Sequence, residues 1–482
     1  MMNKQLVFHY LSKILLLGSL LFLLPMAVSL YYHEHDTAKI FLIVGICTAI
    51  AGVPLTVIKP KNKHMYDREA LVIVALMWIV YPIIGATPFY FSGEIPHFVD
   101  AVFESVSGFT TTGSTILTDV EALSRGMLFY RSLTHWVGGM GVLVLAIAIL
   151  PSSNDALTLM RAECAGPQVG KIVPKGKWSA AYLYIIYAAL TLITIGLLLF
   201  GGMPLFDSVC HAMGTAGTGG FGIKNDGVAY YNSSYIDAVI TIMMALFGVN
   251  FSLYYFILAK RLGDVWKNTE IKVYIGIMAV ATGLIMIDIS PIYHSFNRCL
   301  RYAGFQVSSI MTSTGFATAD YTHWPGFSQM ILVILMFIGA CGGSTGGGFK
   351  VARVIILFKN SLRSIRKLLR PNSVNVVKSD SKTMDVQVVH SVQNYLSIYI
   401  GLLIISLLFV ASDNADFSTT FSSVATCINN IGPGLNKVGP LGNFSFYSDV
   451  SKVTLTLDML LGRLECMPML ILFSPSVWRK NF

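Results

Sequence analysis

Long apolar stretches dominate the chain, and several are long enough to cross a lipid bilayer. The clearest run from Ile14 to Leu30, Ile40 to Ile58, Leu71 to Phe91 and Tyr182 to Phe200. A helix needs about 20 residues to span the hydrocarbon core. The strands of an outer-membrane barrel are only about 10 residues long and alternate in polarity, so they do not fit these stretches. The pattern therefore predicts an all-α polytopic membrane protein.

A longer pattern recurs four times after the first two apolar helices. Each copy has a long apolar helix, a short half-polar segment, a glycine-centred turn and a second long helix. The first long helices are predicted at about 70–91, 182–200, 272–289 and 393–411. The second ones, which we term return helices, are predicted at about 126–150, 235–259, 327–358 and 453–474. With the two N-terminal helices, this arrangement predicts ten crossings and a cytoplasmic N-terminus.

The short segments are predicted at Phe98 to Phe109, from Phe206 onward, at Phe305 to Met311 and at Phe417 to Cys427. Three of them open on an aspartate (Asp100, Asp207 and Asp416), where a carboxylate caps free amides and suits the positive end of a helix. At about 10–12 residues they are too short to cross, which indicates re-entrant helices. Such backbone is tolerated at membrane depth only inside protein or beside a water-filled path. Four of these hairpins around one axis predict a central pore.

The four turns that follow the short segments combine glycine with small polar residues. They are Thr110-Thr111-Thr112-Gly113, Gly217-Thr218-Gly219-Gly220, Thr312-Ser313-Thr314-Gly315 and Asn429-Asn430-Ile431-Gly432. Glycine permits the backbone angles that aim carbonyls inward. Potassium channels replace the hydration shell of the ion with a ring of four carbonyl-bearing loops. One such tripeptide is common by chance, but four at matching places indicate a selectivity filter rather than ordinary turns.

The repeats divide the chain into five predicted units. Residues 1–65 hold the two N-terminal transmembrane helices. The four pore repeats are predicted at 66–165, 166–268, 269–385 and 386–482.

Composition and charge agree with a membrane protein. The chain has 482 residues, of which 54% are hydrophobic and 12% charged, whereas soluble domains carry roughly 25% charged residues. Most of the 34 lysines and arginines fall on the cytoplasmic side of the predicted topology, as the positive-inside rule requires. The net charge of +9 therefore needs no nucleic-acid partner. The 7 cysteines form no C-x-x-C pair that would indicate a metal site or a disulfide framework.

Three further stretches carry a family likeness together with the four turns. They are Tyr130-Arg131 with the run Trp136 to Gly141, the run Gly339 to Lys350, and Leu461 to Glu465. These stretches resemble the Trk/Ktr/HKT family of potassium transporters, and in particular its TrkH-type membrane subunit. The two N-terminal crossings, at about 10–58, favour the Trk branch over the shorter Ktr branch.

The resemblance implies potassium uptake across a bacterial-type cytoplasmic (inner) membrane, with potassium as cargo and no cofactor. It identifies Gly113, Gly220, Gly315 and Gly432 as filter glycines, with the three residues before each supplying carbonyls to the ion. We choose Gly220 over Gly219 because Gly220-Phe221 aligns with Gly315-Phe316. The four loops are unequal, so a sodium-permeable transporter, or one coupled to sodium or protons, stays an alternative.

The run from Gly339 to Lys350 contains too many glycines to keep a helix regular. A phosphate-binding loop is one interpretation, but the G-x-x-x-x-G-K-[ST] pattern and a preceding strand are missing. The resemblance implies an intramembrane gating loop instead, formed by Gly342, Gly343, Ser344, Thr345, Gly346, Gly347, Gly348 and Lys350.

Arg463 and Glu104 are charged residues within predicted membrane segments, where a charge is costly and so suggests function. By resemblance, Arg463 faces the pore and helps to gate it. Pairing with Glu465 or Asp458, or a side chain reaching toward the interface, are the alternatives. Glu104, in the first short segment, either faces the pore or pairs with a neighbour.

Partners follow from the resemblance as well. It implies a homodimer in the lipid bilayer that binds a cytosolic nucleotide-binding regulatory ring of the TrkA type. The basic stretch from Arg353 to Arg370 either docks that ring or simply obeys the positive-inside rule. The N-terminal segment has some features of a cleavable signal, but its long apolar run favours a retained helix.

Two other function classes fit the sequence less well. His33-Glu34-His35-Asp36 offers metal ligands for an enzyme, yet it lacks the H-E-x-x-H spacing of metalloproteases, and we expect no enzyme activity. A transporter with inverted repeats would need two related halves, whereas this chain carries four matching hairpins.

Overall fold

The computed structural model describes residues 2–56, 60, 65–141, 159, 176–371, 376, 378–379 and 382–475. These residues are mainly helical. Their one sheet is a minimal antiparallel pair, Lys378–Ser379 with Lys382–Thr383. The predicted all-α fold is confirmed.

Six helices of the described part are long and apolar enough to cross a membrane. They are Lys4–Tyr31, His35–Thr56, Asp67–Phe91, Ala180–Phe200, Thr269–Tyr293 and Val386–Asp413. The first two are the predicted N-terminal pair, and the other four coincide with the first long helix of each repeat. The first of them is interrupted at Phe22 because Pro25 has no N–H to offer the carbonyl of Leu21, four residues earlier.

Four short helices follow the four long first helices of the repeats. We term them pore helices 1 to 4, and they span Phe98–Phe109, Leu205–Gly217, Phe296–Met311 and Phe417–Ile428. Pore helix 3 begins nine residues before the predicted Phe305. That prediction was wrong because Arg298 and Arg301 interrupt the apolar pattern; in the structure Arg301 instead pairs with Asp237 at 2.6 Å.

The aspartates near the pore-helix starts have three different roles. Asp416 is an N-cap whose carboxylate accepts from the N–H of Thr419 at 3.0 Å. Asp100 lies inside the first turn and pairs with Lys452 at 2.6 Å. Asp207 accepts a hydrogen bond from the hydroxyl of Tyr231 at 2.7 Å. The shared capping role that the sequence suggested is therefore correct only for Asp416, since the other two carboxylates are engaged by other partners.

The second, third and fourth return helices are each interrupted within the described residues. The second consists of Ser234–Phe247 and Phe251–Leu258, the third of Gly326–Ile338 and Val351–Leu369, and the fourth of Asp449–Arg463 and Met467–Phe473. The break in the third was predicted from its glycines. The continuous helices predicted at 235–259 and 453–474 are wrong. The first return helix spans Arg125–Gly139, and its predicted remainder from 142 to 150 lies outside the described residues.

The 91° bend in the second return helix has a clear cause. The carbonyl of Gly248 accepts from the N–H of Cys341 at 3.1 Å, and the N–H of Phe251 donates to the carbonyl of Gly343 at 3.0 Å. The side chain of Asn250 caps the new helix through the N–H of Ser252 at 2.9 Å. Backbone groups freed by the bend are thus bonded by the glycine-rich run, as a membrane interior requires.

The remaining described elements are short. They are the helix Leu262–Lys267 and the 3-10 turns Gly227–Tyr231, Tyr321–His323, Ala411–Asp413 and Asn436–Val438. Several residues used in the charge and cysteine analysis lie outside the described part, namely Lys59, Lys61, Lys63, Arg161, Cys164, Lys171, Lys175, Arg479 and Lys480.

Candidate ion pathway

Each pore helix ends in the same backbone arrangement, although the four turns differ in side chains. In the first turn, the N–H of Thr111 donates to Gly108 at 3.1 Å and that of Thr112 donates to Ser107 at 2.9 Å. The other three turns repeat both bonds at 2.8–3.2 Å. This pair of bonds is the Schellman motif, which terminates a helix at a left-handed residue. Four unlike sequences therefore follow one backbone path.

The left-handed residues carry side chains at an unfavourable angle. The second residue of each turn has φ between 53° and 56°; these residues are Thr111, Thr218, Ser313 and Asn430. For residues other than glycine this conformation costs about 1 kcal/mol or more. Such strain tends to be retained at functional sites, so the four turns are the place to look for chemistry.

The fourth residue of each turn is a glycine, and the four glycines close a ring. A Cβ on Gly113 would lie 2.0 Å from the carbonyl oxygen of Gly219, and one on Gly220 would lie 1.9 Å from that of Thr314. Further contacts complete the circle: a Cβ on Gly315 would lie 2.1 Å from the oxygen of Ile431, and one on Gly432 would lie 2.8 Å from that of Thr112. Each turn abuts the next in chain order and the fourth abuts the first. In the second turn, the ring position belongs to Gly220.

Eight buried backbone carbonyls of the ring accept no hydrogen bond from any described residue. Among the described residues, no hydrogen bond reaches the carbonyl oxygens of the second and third residue of any turn, namely Thr111, Thr112, Thr218, Gly219, Ser313, Thr314, Asn430 and Ile431. Buried carbonyls are nearly always paired. A ring of unpaired ones suits a partly dehydrated cation.

Side chains brace three of the four turns. The hydroxyls of Thr110 and Thr112 are 2.8 Å apart, and those of Thr312 and Thr314 are 2.7 Å apart. The amide of Asn430 donates to the hydroxyl of Thr112 at 2.9 Å, which joins the fourth turn to the first. These bonds join side chains and so fix the turns while leaving the backbone carbonyls of the ring free of them.

One end of the ring opens into a cavity of about 360 Å³. All four ring glycines line it, together with residues that follow them in the chain. Arg131, Lys224, Asp226 and Asp320 contribute charged groups to its wall. We term this cavity, which borders all four ring glycines, the vestibule.

The glycine-rich run closes the other end of the ring. A Cβ on Gly346 would lie 2.7 Å from the carbonyl oxygen of Thr312, and one on Gly347 would lie 2.4 Å from that of Asn429. The N–H of Gly347 donates to the hydroxyl of Ser313. These contacts involve the first and second residues of the turns, opposite to the vestibule. Larger residues at Gly346 or Gly347 would not fit against the ring.

The rest of the predicted gating loop is tied to neighbouring helices. The N–H of Gly342 donates to Glu270 at 2.7 Å, and the hydroxyl of Thr345 donates to the carbonyl of Phe247 at 3.2 Å. The hydroxyl of Ser344 donates to Cys341 at 2.7 Å. Lys350 donates to the carbonyl of Gly346. Gly348 packs on Gly339: a Cβ added to Gly348 would lie only 2.8 Å from the Cα of Gly339. The loop is thus held in place by hydrogen bonds and close packing.

Arg463 lies between the ring and this loop. Its guanidinium donates to the carbonyl of Thr345 at 2.9 Å and to the hydroxyl of Thr111 at 3.3 Å. It also donates to the carbonyls of Gly138 and Gly139 at 2.6 and 2.7 Å. The proposed pairings with Glu465 and Asp458 are wrong, because each carboxylate has another partner.

Those partners are clear in the structure. Glu465 binds the guanidinium of Arg353, and Asp458 accepts from the hydroxyl of Ser406 at 2.6 Å. The described hydrogen bonds of Arg463 thus go to the first turn, to the glycine-rich loop and to the end of the first return helix.

Glu104 pairs with a neighbour rather than facing the pore. It forms a 2.7 Å ion pair with Arg131, and the two side chains are 0% and 2% exposed. It also accepts from the N–H of Ile116 at 3.1 Å, on the chain just beyond the first turn. The pair braces the ring from behind.

Sequence reasoning missed His135, which lies behind the second turn. Its imidazole bonds the carbonyl of Gly108 at 2.7 Å and the N–H of Phe221 at 3.1 Å. The available signal was its place four residues after Arg131, on the same face of the return helix.

The acidic–histidine run near the N-terminus has a structural task. Glu34 accepts from the N–H groups of Arg125 and Gly126 at 2.7 and 2.9 Å. It thereby caps the first return helix and satisfies amides that the helix cannot. Its carboxylate is accounted for without a metal.

Comparisons with known proteins agree with this geometry. The family model described as TrkH, cation transport protein, matches residues 37–282 and 294–480. The Trk system potassium uptake protein TrkH of Salmonella typhimurium is 35% identical over 486 residues, covering 99% of this chain and 100% of that protein. The Trk system potassium uptake protein TrkG of Escherichia coli is 32% identical, with 99% of both chains covered. The crystal structure of the potassium transporter TrkH from Vibrio parahaemolyticus has a TM-score of 0.88 at 30% identity, covering 99% of this chain and 100% of that one.

Proposed function

This chain belongs to the TrkH family of cation transport proteins, and on that premise we propose that it takes up potassium through the ring formed by its four turns. The observation that carries the proposal is the closed circle of ring contacts with eight unpaired carbonyls. Carbonyl oxygens that already lie around one axis replace the water around a potassium ion at little further cost. The resulting protein is a multi-pass transporter and not an enzyme.

Selectivity, in this proposal, comes from the backbone rather than from side chains. The four turns share φ values and hydrogen bonds although one is rich in threonine, another in glycine and another in asparagine. A similar backbone gives carbonyls of similar reach and field strength from all four directions. Potassium would be favoured over sodium because the braced carbonyls cannot follow a smaller ion inward.

The gate would consist of the loop from Gly342 to Gly348 with Lys350 and Arg463. The loop lies against the ring through Gly346 and Gly347, where an added Cβ would lie 2.7 and 2.4 Å from carbonyl oxygens of the turns. Arg463 adds a fixed positive charge within hydrogen-bond distance of both loop and ring, and a positive charge repels a cation that has shed its water. Opening therefore requires the loop and the guanidinium to move together.

Control by a partner would act through the helix that leaves this loop. Val351–Leu369 begins directly after Lys350, and its far end is exposed, with Leu368 82% and Leu369 77% accessible beside Arg366 and Lys367. A cytosolic nucleotide-binding ring of the TrkA type fits such a basic and apolar end. We further propose a homodimer in the bacterial inner membrane, with potassium as the cargo.

The test is uptake of radioactive rubidium into proteoliposomes that contain this protein alone. Competition by potassium but hardly by sodium supports a potassium pathway. Equal competition by sodium, or flux that needs a second ion, supports the sodium-permeable or coupled alternative. If uptake is absent, the variant that lacks residues 342–348 is measured next. A gated pore then conducts, whereas silence from the deletion variant as well would overturn the proposal.

A further inference from the structure

The second turn lacks the side-chain bracing of the other three. Thr218 uses its hydroxyl on the adjacent carbonyl of Gly217, at 2.7 Å. The other residues of that turn, Gly217, Gly219 and Gly220, have no side chains. Since glycine is the most flexible residue, this turn depends on support from outside itself.

The support comes from the first repeat. A Cβ on Gly219 would lie 2.3 Å from the ring carbon Cγ of His135, and one on Gly217 would lie 2.2 Å from the carbonyl oxygen of the same histidine. His135 is fully buried. The imidazole of His135 therefore leaves no room for a side chain at Gly219, and the backbone carbonyl of His135 leaves none at Gly217.

Two hydrogen bonds fix the imidazole and its tautomer. Nδ1 lies 2.7 Å from the carbonyl oxygen of Gly108, which can only accept, so Nδ1 carries the proton. Nε2 lies 3.1 Å from the backbone nitrogen of Phe221, which can only donate, so Nε2 is the acceptor. One neutral side chain thus connects the end of pore helix 1 to the residue that follows Gly220.

Phe221 is also clamped by its ring. The imidazole of His135 packs against it with centroids 4.2 Å apart, and the guanidinium carbon of Arg131 lies 4.0 Å from its centroid. Arg131 is itself held by the buried carboxylate of Glu104 at 2.7 Å. Gly220 therefore precedes a residue that is fixed through both its backbone and its side chain.

We infer that His135 is a positioning residue for ion selectivity: it holds the second filter turn at the spacing that the other three turns maintain with their own side chains. The inference rests on the proposed function. Without the imidazole, the carbonyls of three turns would stay fixed and those of the second turn would become mobile. Mobile carbonyls can move inward to bind a sodium ion, so the selectivity for potassium over sodium should fall more than the rate of ion uptake.

The experiment compares His135→Ala and His135→Gln with Ser132→Ala as a control. Ser132 lies on the same helix; its hydroxyl donates to the carbonyl of Leu128 at 3.3 Å and also bonds the thiol of Cys210. Glutamine restores an acceptor for the N–H of Phe221 and much of the volume. Rubidium and sodium uptake are measured in proteoliposomes, and thermal unfolding is measured in detergent with potassium or sodium chloride.

We expect His135→Ala to lower the rubidium-to-sodium ratio on the order of tenfold, a change that losing two hydrogen bonds and their packing can produce. Its extra thermal stabilisation by potassium over sodium should shrink as well. His135→Gln should recover part of both, and Ser132→Ala should match wild type. If His135→Ala does not fold, Phe221→Leu, which removes the clamped ring, should lower the ratio in its place.

A folded His135→Ala protein with the wild-type ratio would overturn the inference, as would equal losses of rubidium and sodium flux with unchanged ion-dependent stabilisation. Wild-type protein that shows no preference for rubidium in either assay would overturn the proposed function first, and the inference with it.

Discussion

Arg463 donates a 2.9 Å hydrogen bond to the backbone carbonyl of Thr345, a residue 118 positions earlier in the chain. The bond joins the fourth return helix to the loop that interrupts the third. The same guanidinium reaches the hydroxyl of Thr111 in the first filter turn at 3.3 Å. One side chain thus joins the proposed gating loop to the first turn of the ring.

Removing this charge should open the pathway. We expect Arg463→Gln to raise rubidium uptake by the protein alone about tenfold, because the substitution removes both the repulsive charge and the bonds that hold the loop. Arg463→Lys is the matched control, since it keeps the charge but not the several bonds, and its increase should be smaller. Unchanged or reduced uptake in a folded Arg463→Gln protein would contradict the role given to this residue.

The ring glycines should be intolerant of a single methyl group. Gly113→Ala places a Cβ 2.0 Å from the carbonyl oxygen of Gly219, so it must distort the ring, and we expect uptake to fall at least tenfold. Gly202→Ala is the control: that glycine has a similar φ of +83°, but nothing lies within 4 Å of its added Cβ.

Both alanines carry the strain of a positive φ, about 1 kcal/mol, and the difference between them isolates the contact within the ring. Initial rates of rubidium uptake, normalised to folded protein, give the comparison. Equal activity of the two variants would show that the contact between Gly113 and Gly219 is unimportant.

The pair formed by Arg353 and Glu465 should hold the gate closed. Arg353 follows the gating loop by three residues and is 4.3 Å from the ring centroid of Tyr395. Glu465 sits in the break of the fourth return helix with φ +55°. We expect Glu465→Gln to raise basal rubidium uptake severalfold, because a buried pair that loses one charge no longer fixes its partner.

Asp264→Asn provides the control for that prediction. Asp264 pairs with Arg261 at an exposed position, where ion pairs contribute little. The exchange variant Arg353→Glu with Glu465→Arg should restore low basal uptake if the attraction itself matters. High uptake from the exchange variant as well would argue that only the specific geometry of the native pair closes the gate.

Glu104 should matter for stability before it matters for transport. Its carboxylate is fully buried against Arg131, so Glu104→Gln leaves an uncompensated charge and should cost about 3 kcal/mol. Thermal unfolding in detergent measures the effect. Glu121→Gln, in the more exposed pair with Lys224 at 2.9 Å, should hardly shift the midpoint, and a comparable shift from both would contradict the bracing role of Glu104.

Local patterns in the sequence predicted the helical class, the N-terminal pair and the first long helix of every repeat, because length and hydrophobicity decide those elements. The many glycines at 339–350 also predicted the break in the third return helix. By contrast, the bend at Gly248 depends on Cys341 and Gly343, which are about ninety residues away in the chain. No local signal could show that these residues would supply the missing hydrogen bonds.

In the candidate site, too, local sequence patterns predicted some features, whereas others depend on residues far along the chain. The four turns could be found because glycine and small polar residues recur at matching places. The reason for Gly217 and Gly219 could not, since it is His135 in another repeat, whose backbone carbonyl abuts Gly217 and whose imidazole abuts Gly219. Glu34 shows the same limit: its neighbouring histidines offered a metal-ligand interpretation that the spacing disfavoured, while its actual partners, the amides of Arg125 and Gly126, lie far along the chain.

The central claim is that an ion binds among the carbonyls of Thr112, Gly219, Thr314 and Ile431. The most direct measurement is the anomalous scattering of rubidium in crystals of this protein grown with rubidium chloride. The account predicts a peak on the axis of the ring, within coordination distance of all four oxygens, that disappears when sodium replaces rubidium. Rubidium peaks that occur only elsewhere, with none inside the ring, would contradict it.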